Sequence, residues 1–372
     1  MKNILRFNIT KIVKLKCEVG KSTLVLVAFF CMLSCAQSPV VREPADEKIS
    51  YETCSDKNKL YLENKLSSLP PEYLRINQDH EFQLPLRCIQ LAQQNYVGHY
   101  ALCDSEEQMP KVTVIKPCQT ESYVNVVYNA YHDVMDCFNI DPRINFFQIM
   151  IESGFHINAI NKTGFDSGMG QFTANGIKRV TANNLVERTR RVLLESSRPS
   201  CQRISSIVGA FNADAFSVQK RCAMISLPKN PYRSMLFNYL HSMLDQLVLD
   251  GMVADLPELN EAYTEKIRRQ FLFLSYNRGL TGLKRLLAGY IRSRNSFDKL
   301  ITESDLDLSK NLSRAKSILA LEPEKRKQLQ RSRVRNLSFA EYAVIYEAPY
   351  LSDMTDARDY VQRILGDSCG EL

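Results

Sequence analysis

The chain has 372 residues, 45% hydrophobic and 24% charged, with 14 Gly and 14 Pro, a globular composition with room for one large domain or two smaller ones. That excludes a disordered tail, a fibre or a polytopic membrane protein. The formal charge of +7 invites a nucleic-acid partner, yet six Lys/Arg and one Glu fall within residues 1–36, and the remainder carries 42 basic against 40 acidic residues. The basic balance belongs mostly to the N-terminal segment, and no nucleic-acid partner is indicated.

That segment sets lysines and an arginine ahead of an apolar run at 24–33 (LVLVAFFCML), too short for a stable membrane span and suited to the core of a secretory signal over residues 1–36. Two processing readings stand. Ser34-Cys35-Ala36 fits small-residue cleavage before Gln37, giving a periplasmic or secreted protein. Met32-Leu33-Ser34-Cys35 resembles a lipobox that would leave Cys35 lipidated, an outer-membrane lipoprotein whose only membrane contact is that anchor. The first is preferred, because the lipobox usually opens with Leu. Three of the 11 cysteines lie in or at the signal, leaving Cys54, Cys88, Cys103, Cys118, Cys137, Cys201, Cys222 and Cys369. An even number in an exported chain points to disulfides. One bridge is expected, Cys201 with Cys222, because the two bracket one local segment. No Cys-x-x-Cys or HExxH pattern occurs, so no metal site is indicated.

Residues 37–50 are polar with two prolines and read as a linker. Residues 51–119 are of mixed character, with helices expected at 60–66 and 87–94 and a strand at 111–115, and form a small Cys-bearing accessory region. From residue 122 the pattern is helical: Val124, Val127, Tyr128, Tyr131, Val134 and Met135 recur at three- and four-residue steps. Asp141-Pro142 then opens a second helix at 143–152, apolar on nearly all sides and therefore central. Further helices are expected at 235–249, 263–276, 280–293, 312–332 and 356–365. Nothing after residue 120 alternates like a sheet. The fold class is mainly α: a helical domain over 120–366, the accessory region before it and a short tail at 367–372. The basic run at 325–335 (KRKQLQRSRVR) lacks interleaved aromatics and reads as a solvated helix face.

The chemistry starts at Glu152, which closes the most apolar helix of the chain. A carboxyl withdrawn from water has a raised pKa and keeps its proton near neutrality, as a general acid for glycosidic-bond cleavage must. Twelve residues on, Gly164, Gly168 and Gly170 space a loop whose backbone can approach a ligand closely, and Gln171 can donate to and accept from a sugar amide. A third cluster, SYNRG at 275–279, offers Tyr276 and Asn277. A fourth, RDYVQRIL at 358–365, carries Tyr360.

In this order, ESGF at 152–155, GMGQ at 168–171, SYNRG and RDYVQRIL resemble the catalytic domain of the soluble lytic transglycosylases, which share a lysozyme-like fold with goose-type lysozymes. The resemblance spans about 120–366 and implies a monomeric, cofactor-free enzyme acting on peptidoglycan glycan strands. It implies that Glu152 protonates the bridging oxygen between N-acetylmuramic acid and N-acetylglucosamine. As a carboxylate it then assists the muramic hydroxymethyl oxygen in closing a 1,6-anhydro ring, an internal attack that benefits from proximity. Ser153 and Asn277 would hydrogen-bond around the carboxylate or substrate, Gln171 and the Met169–Gly170 backbone would hold sugar groups, and Tyr276 and Tyr360 would line the cleft.

The chain departs from the family at Met169-Gly170, at Arg278, in long segments at about 182–229 and 295–336, and above all at Asp166, where the family has a small apolar residue. The segments would reshape the groove for a modified peptidoglycan, for example by amide state, crosslinking or deacetylation. A carboxylate beside the loop would serve as a water-activating base, as in inverting hydrolases, making the chain a hydrolysing muramidase. A turn aspartate bonded to its own loop is the plainer role. An inactive wall-binding protein is the third alternative, and the intact Glu152 argues against it.

Overall fold

The computed structural model describes residues 66–67, 69–102, 111–113, 119–161, 166–182, 184–209, 222, 230–296, 299–331, 337–347 and 369. The expected signal, Cys35, the helix at 356–365 and Tyr360 lie outside them. After a short 3₁₀ turn at Pro71–Leu74 come α1 (Leu86–Asn95), β1 (His99–Leu102), β2 (Lys111–Thr113), α2 (Glu121–Cys137), α3 (Arg143–Ser153), β3 (Ala159–Ile160) and α4 (Ala174–Ala182). There follow α5 (Leu185–Glu195), α6 (Pro199–Val208), α7 (Asn230–Ala254), α8 (Glu265–Asn295), α9 (Glu303–Leu306), α10 (Leu308–Leu319), α11 (Pro323–Arg331) and α12 (Phe339–Glu347). The protein is mainly helical, and no helix among the described residues is long and apolar enough to cross a membrane.

Helix α2 is buried along most of its length. Thr120 caps it, Oγ1 accepting from Tyr123 N at 3.2 Å, and every residue from Tyr123 to Met135 is buried. It packs against α6 and α7, so burial on all sides follows from its position. Helix α3 starts behind Asp141, whose carboxylate accepts from the Arg143 amide at 2.9 Å. It ends at Gly154, left-handed at φ 55°, a conformation that costs glycine little.

The residues expected to form an accessory region are built into the same compact unit as the helical part, residues 51–372. β1 lies at the centre of a three-stranded antiparallel sheet in the order β2-β1-β3, pairing Tyr100 with Thr113 on one side and with Ala159 on the other. β3 is a short sheet element after residue 120, and Ser167 bridges Ile160 and Phe172 beyond it. Two-residue pairing leaves no alternation to read, which is why it has no signature in the sequence.

The segments at 182–229 and 295–336 likewise carry core. α6 buries Cys201, Ile204, Ile207 and Val208; α10 buries Leu308, Leu312 and Ala315 and packs on α12. The helix expected at 312–332 divides because Pro323 opens α11, its ring unable to continue the preceding helix. The helices expected at 263–276 and 280–293 run as one helical stretch, α8, interrupted at Gly279 (φ 71°, ψ 150°).

The expected Cys201–Cys222 bridge is not formed. Cys201 is bonded to Cys137 at the end of α2, with Cα atoms 4.9 Å apart, and Cys222 is disulfide-bonded elsewhere. Proximity in sequence does not decide a pairing when α6 is folded against α2. A second bridge joins Cys88 of α1 to Cys369 across 281 residues. The fully buried Asp133 accepts from His80 Nε2 at 2.8 Å, from Arg203 Nη2 at 2.6 Å and from the Tyr232 hydroxyl at 3.0 Å. One carboxylate thereby joins four segments of the chain.

Candidate active site

Glu152 stands in the last turn of α3, part of its side chain reachable from solvent and most of its carboxyl enclosed by protein. Burial pushes this carboxyl up to about 8, and the charge of Asp166 adds to the rise. Among the described residues no donor hydrogen-bonds to the carboxyl and no cation pairs with it; the hydrogen bond at this residue is to its backbone carbonyl. A carboxyl with no partner for its anion is one whose protonated form is favoured.

The wall beside it comes from a part of the chain that shows no site motif. The Tyr96 hydroxyl donates to the Glu152 carbonyl at 3.4 Å. Its ring lies 6.0 Å from Tyr100 and 5.7 Å from buried His156, centroid to centroid. Burial, and then the nearby Glu152, push the Tyr96 phenol up to about 12, so it remains a donor at any working pH. Gly154 makes this packing possible: a Cβ there would fall 2.4 Å from Tyr96 Cβ and 2.8 Å from the Ala92 carbonyl oxygen.

The glycine loop folds back on the small sheet. The Asp166 carbonyl accepts from Asn161 N at 2.8 Å and Gly168 N donates to Ala159 O at 3.0 Å, so β3 holds Asp166 where its charge acts on Glu152. Gln171, at φ 49°, turns its amide inward: Nε2 donates to Ala159 O and Gly168 O, each at 3.0 Å. Met169 is buried in the core, and its N–H donates to Ser234 Oγ of α7 at 3.1 Å. At Gly170 a Cβ would meet the Phe172 ring at 2.4 Å, so glycine is required there by packing. Ser153 donates to Ile149 O at 3.1 Å, a helix-end bond. Of the groups expected to meet carboxylate or sugar, the Ser153 hydroxyl, the Met169 N–H and the Gln171 amide nitrogen thus bond within the chain.

The structure brings the charge of Asp166, at the start of the loop, to act on Glu152. The backbone of 276–278 continues α8, and the side chains of Tyr276 and Asn277, like Tyr360, are outside the described set. A cavity of about 380 Å³ opens elsewhere, at the α7–α8 connection. Its carboxylates are already matched, Asp250 by Tyr263 (3.1 Å) and Arg268 (3.5 Å), and Glu265 by Arg268. Among the described residues no group of three or more His, Cys, Asp or Glu is placed to hold a metal ion.

The fold and site define a disulfide-bonded, mainly helical protein in which a largely enclosed carboxyl, raised to about 8, closes a helix. No family model, no curated protein and no solved structure matches the chain.

Proposed function

We propose that the chain is an exported peptidoglycan-cleaving enzyme with a lysozyme-like catalytic fold. Glu152 acts as the acid/base that cleaves the β-1,4 bond between N-acetylmuramic acid and N-acetylglucosamine and forms 1,6-anhydromuramic ends. The observation that carries this reading is the Glu152 carboxyl, largely enclosed, without a hydrogen-bonding partner among the described residues and raised to about 8, which is the state a general acid needs before the leaving oxygen arrives. The signal-like N-terminus and the disulfides support export, to the periplasm, the medium or, through Cys35, the outer membrane. Tyr276, Asn277 and Tyr360 complete the cleft in this reading, and no cofactor takes part.

A hydrolytic outcome is the second reading, favoured by the nearness of Asp166, whose charge acts on Glu152. A carboxylate there would activate a water on the far side of the cleaved bond. Mass spectrometry of products from sacculi, native and de-N-acetylated, separates the two. Anhydromuramic ends, one water lighter than reducing ends, support internal attack; reducing ends support hydrolysis. Absence of any product that Glu152→Gln also fails to make would leave a wall-binding protein.

A further inference from the structure

A small cavity, largely apolar in its lining but edged by several polar groups, lies along the face of α3 that also carries Glu152. It has a volume of about 30 Å³ and is bounded by Asn145 and Gln148 of α3, Ser242 and Asp245 of α7, and Arg269, Leu272 and Phe273 of α8. Gln148 and Glu152 are four residues apart, so they share a helix face and sit about 6 Å apart along the axis. The cavity admits a water or the tip of a substituent, not a sugar ring.

Its charges are unequal in what they have left to offer. Asp245 is matched, accepting from Arg179 Nη2 at 2.9 Å with His241 Nδ1 at 3.4 Å. Arg269 is an exposed side chain that binds Glu265 through Nε at 3.2 Å and whose charge also acts on Asp141; among the described residues no acceptor hydrogen-bonds to its two terminal nitrogens. Gln148 is 7% exposed, and its Nε2 is buried without a hydrogen-bond partner. A buried donor left unmade is costly, and here it stands beside a guanidinium fork suited to a carboxylate or carbonyl.

We propose that this cavity is a subsite for the carbonyl or carboxylate oxygen of the lactyl arm that distinguishes muramic acid from N-acetylglucosamine, with Gln148 Nε2 and Arg269 as its donors. The proposal rests on the peptidoglycan reading and deepens it. A sugar placed with its glycosidic oxygen at Glu152 carries the lactyl arm on the same ring, within reach of a group one helical turn away. The subsite would therefore select the muramic side of the bond and fix which sugar Glu152 meets.

The test is equilibrium binding of N-acetylmuramic acid, muramyl dipeptide and N,N′-diacetylchitobiose to the full chain carrying Glu152→Gln, with and without Gln148→Leu. Loss of about tenfold for both muramyl ligands, with diacetylchitobiose unchanged, is expected. Gln148→Glu, which keeps the shape and replaces a donor with an anion, should weaken N-acetylmuramic acid more than muramyl dipeptide, because only the former has a free lactyl carboxylate. Thermal unfolding of each variant confirms that it is folded. Equal affinities in the Gln148 variants and their parent would mean that the cavity holds water alone and would overturn the proposal, as would failure of the parent to bind either muramyl ligand. Cleavage of sacculi by the wild-type chain is read separately, so the subsite can fail while the enzymatic reading stands.

Discussion

The Tyr96 hydroxyl reaches the Glu152 backbone carbonyl across 56 residues of sequence, and only a glycine at 154 lets the tyrosine lie that close. Gly154→Ala meets two obstacles at once, a left-handed φ of 55° and a backbone oxygen 2.8 Å from the new methyl. We expect a loss of more than about 1 kcal/mol of stability, read by chemical denaturation. Activity should fall further than the unfolded fraction accounts for, because the end of α3 is displaced.

Glu152→Gln should abolish cleavage and also stabilise the protein at high pH. Burial raises the carboxyl above its unfolded value of about 4.5 to about 8. The group's contribution to stability is then fully present below the unfolded value and is lost as pH rises through about 8. At pH 9 the wild type should be less stable than the variant by on the order of 2–4 kcal/mol, and near pH 4 the two should be equal. Urea denaturation at both pH values checks this, and a wild type as stable as the variant at pH 9 would show that Glu152 is not enclosed.

Asp166→Asn removes the neighbouring charge that helps to hold Glu152 up. Because activity needs the protonated acid, the alkaline limb of the pH–rate profile should move to lower pH. If internal attack is the mechanism, the variant retains anhydromuramic products at a rate within about tenfold of wild type at acidic pH. Near-complete loss of turnover at every pH would instead assign Asp166 the water-activating role.

Asp133→Ala leaves Arg203, His80 and Tyr232 facing a buried void where a carboxylate had been. Removing one partner of a buried charged network costs about 3–5 kcal/mol, and the melting temperature should drop accordingly with no direct effect on the Glu152 pKa. Cys201→Ser opens the loop closed by Cys137 and should cost about 4 kcal/mol by the chain-entropy relation, with peptide mapping of the non-reduced wild type recovering the Cys137–Cys201 pair.

His132 shows how burial fixes a protonation state. Its Nε2 accepts from Leu84 N at 2.9 Å while Nδ1 faces the Tyr128 carbonyl at 2.9 Å, so the ring is neutral, and burial pushes it down to about 3. Its contribution to stability is present above about pH 6.5 and is lost as pH falls toward 3. His132→Gln should flatten the acid arm of the stability curve between those values, as seen by denaturation at pH 4 and pH 7.

Read alone, the sequence determined the helical class, the run of α2 and α3, and the position of Glu152 at the end of an apolar helix. These are periodic or local features, set by the spacing of Val124, Val127 and Tyr131 and by the Asp141-Pro142 start, and local spacing is written directly in a chain. Tertiary structure alone decided that Tyr96 walls the carboxyl, that Asp166 acts on it, that Gln171 and Met169 face inward, and that Cys201 meets Cys137. Each of these joins segments tens of residues apart or depends on which way one side chain turns. A two-residue strand, a buried helix inside a polar stretch and a long-range disulfide have no period to detect, because each is fixed by what it packs against rather than by local spacing.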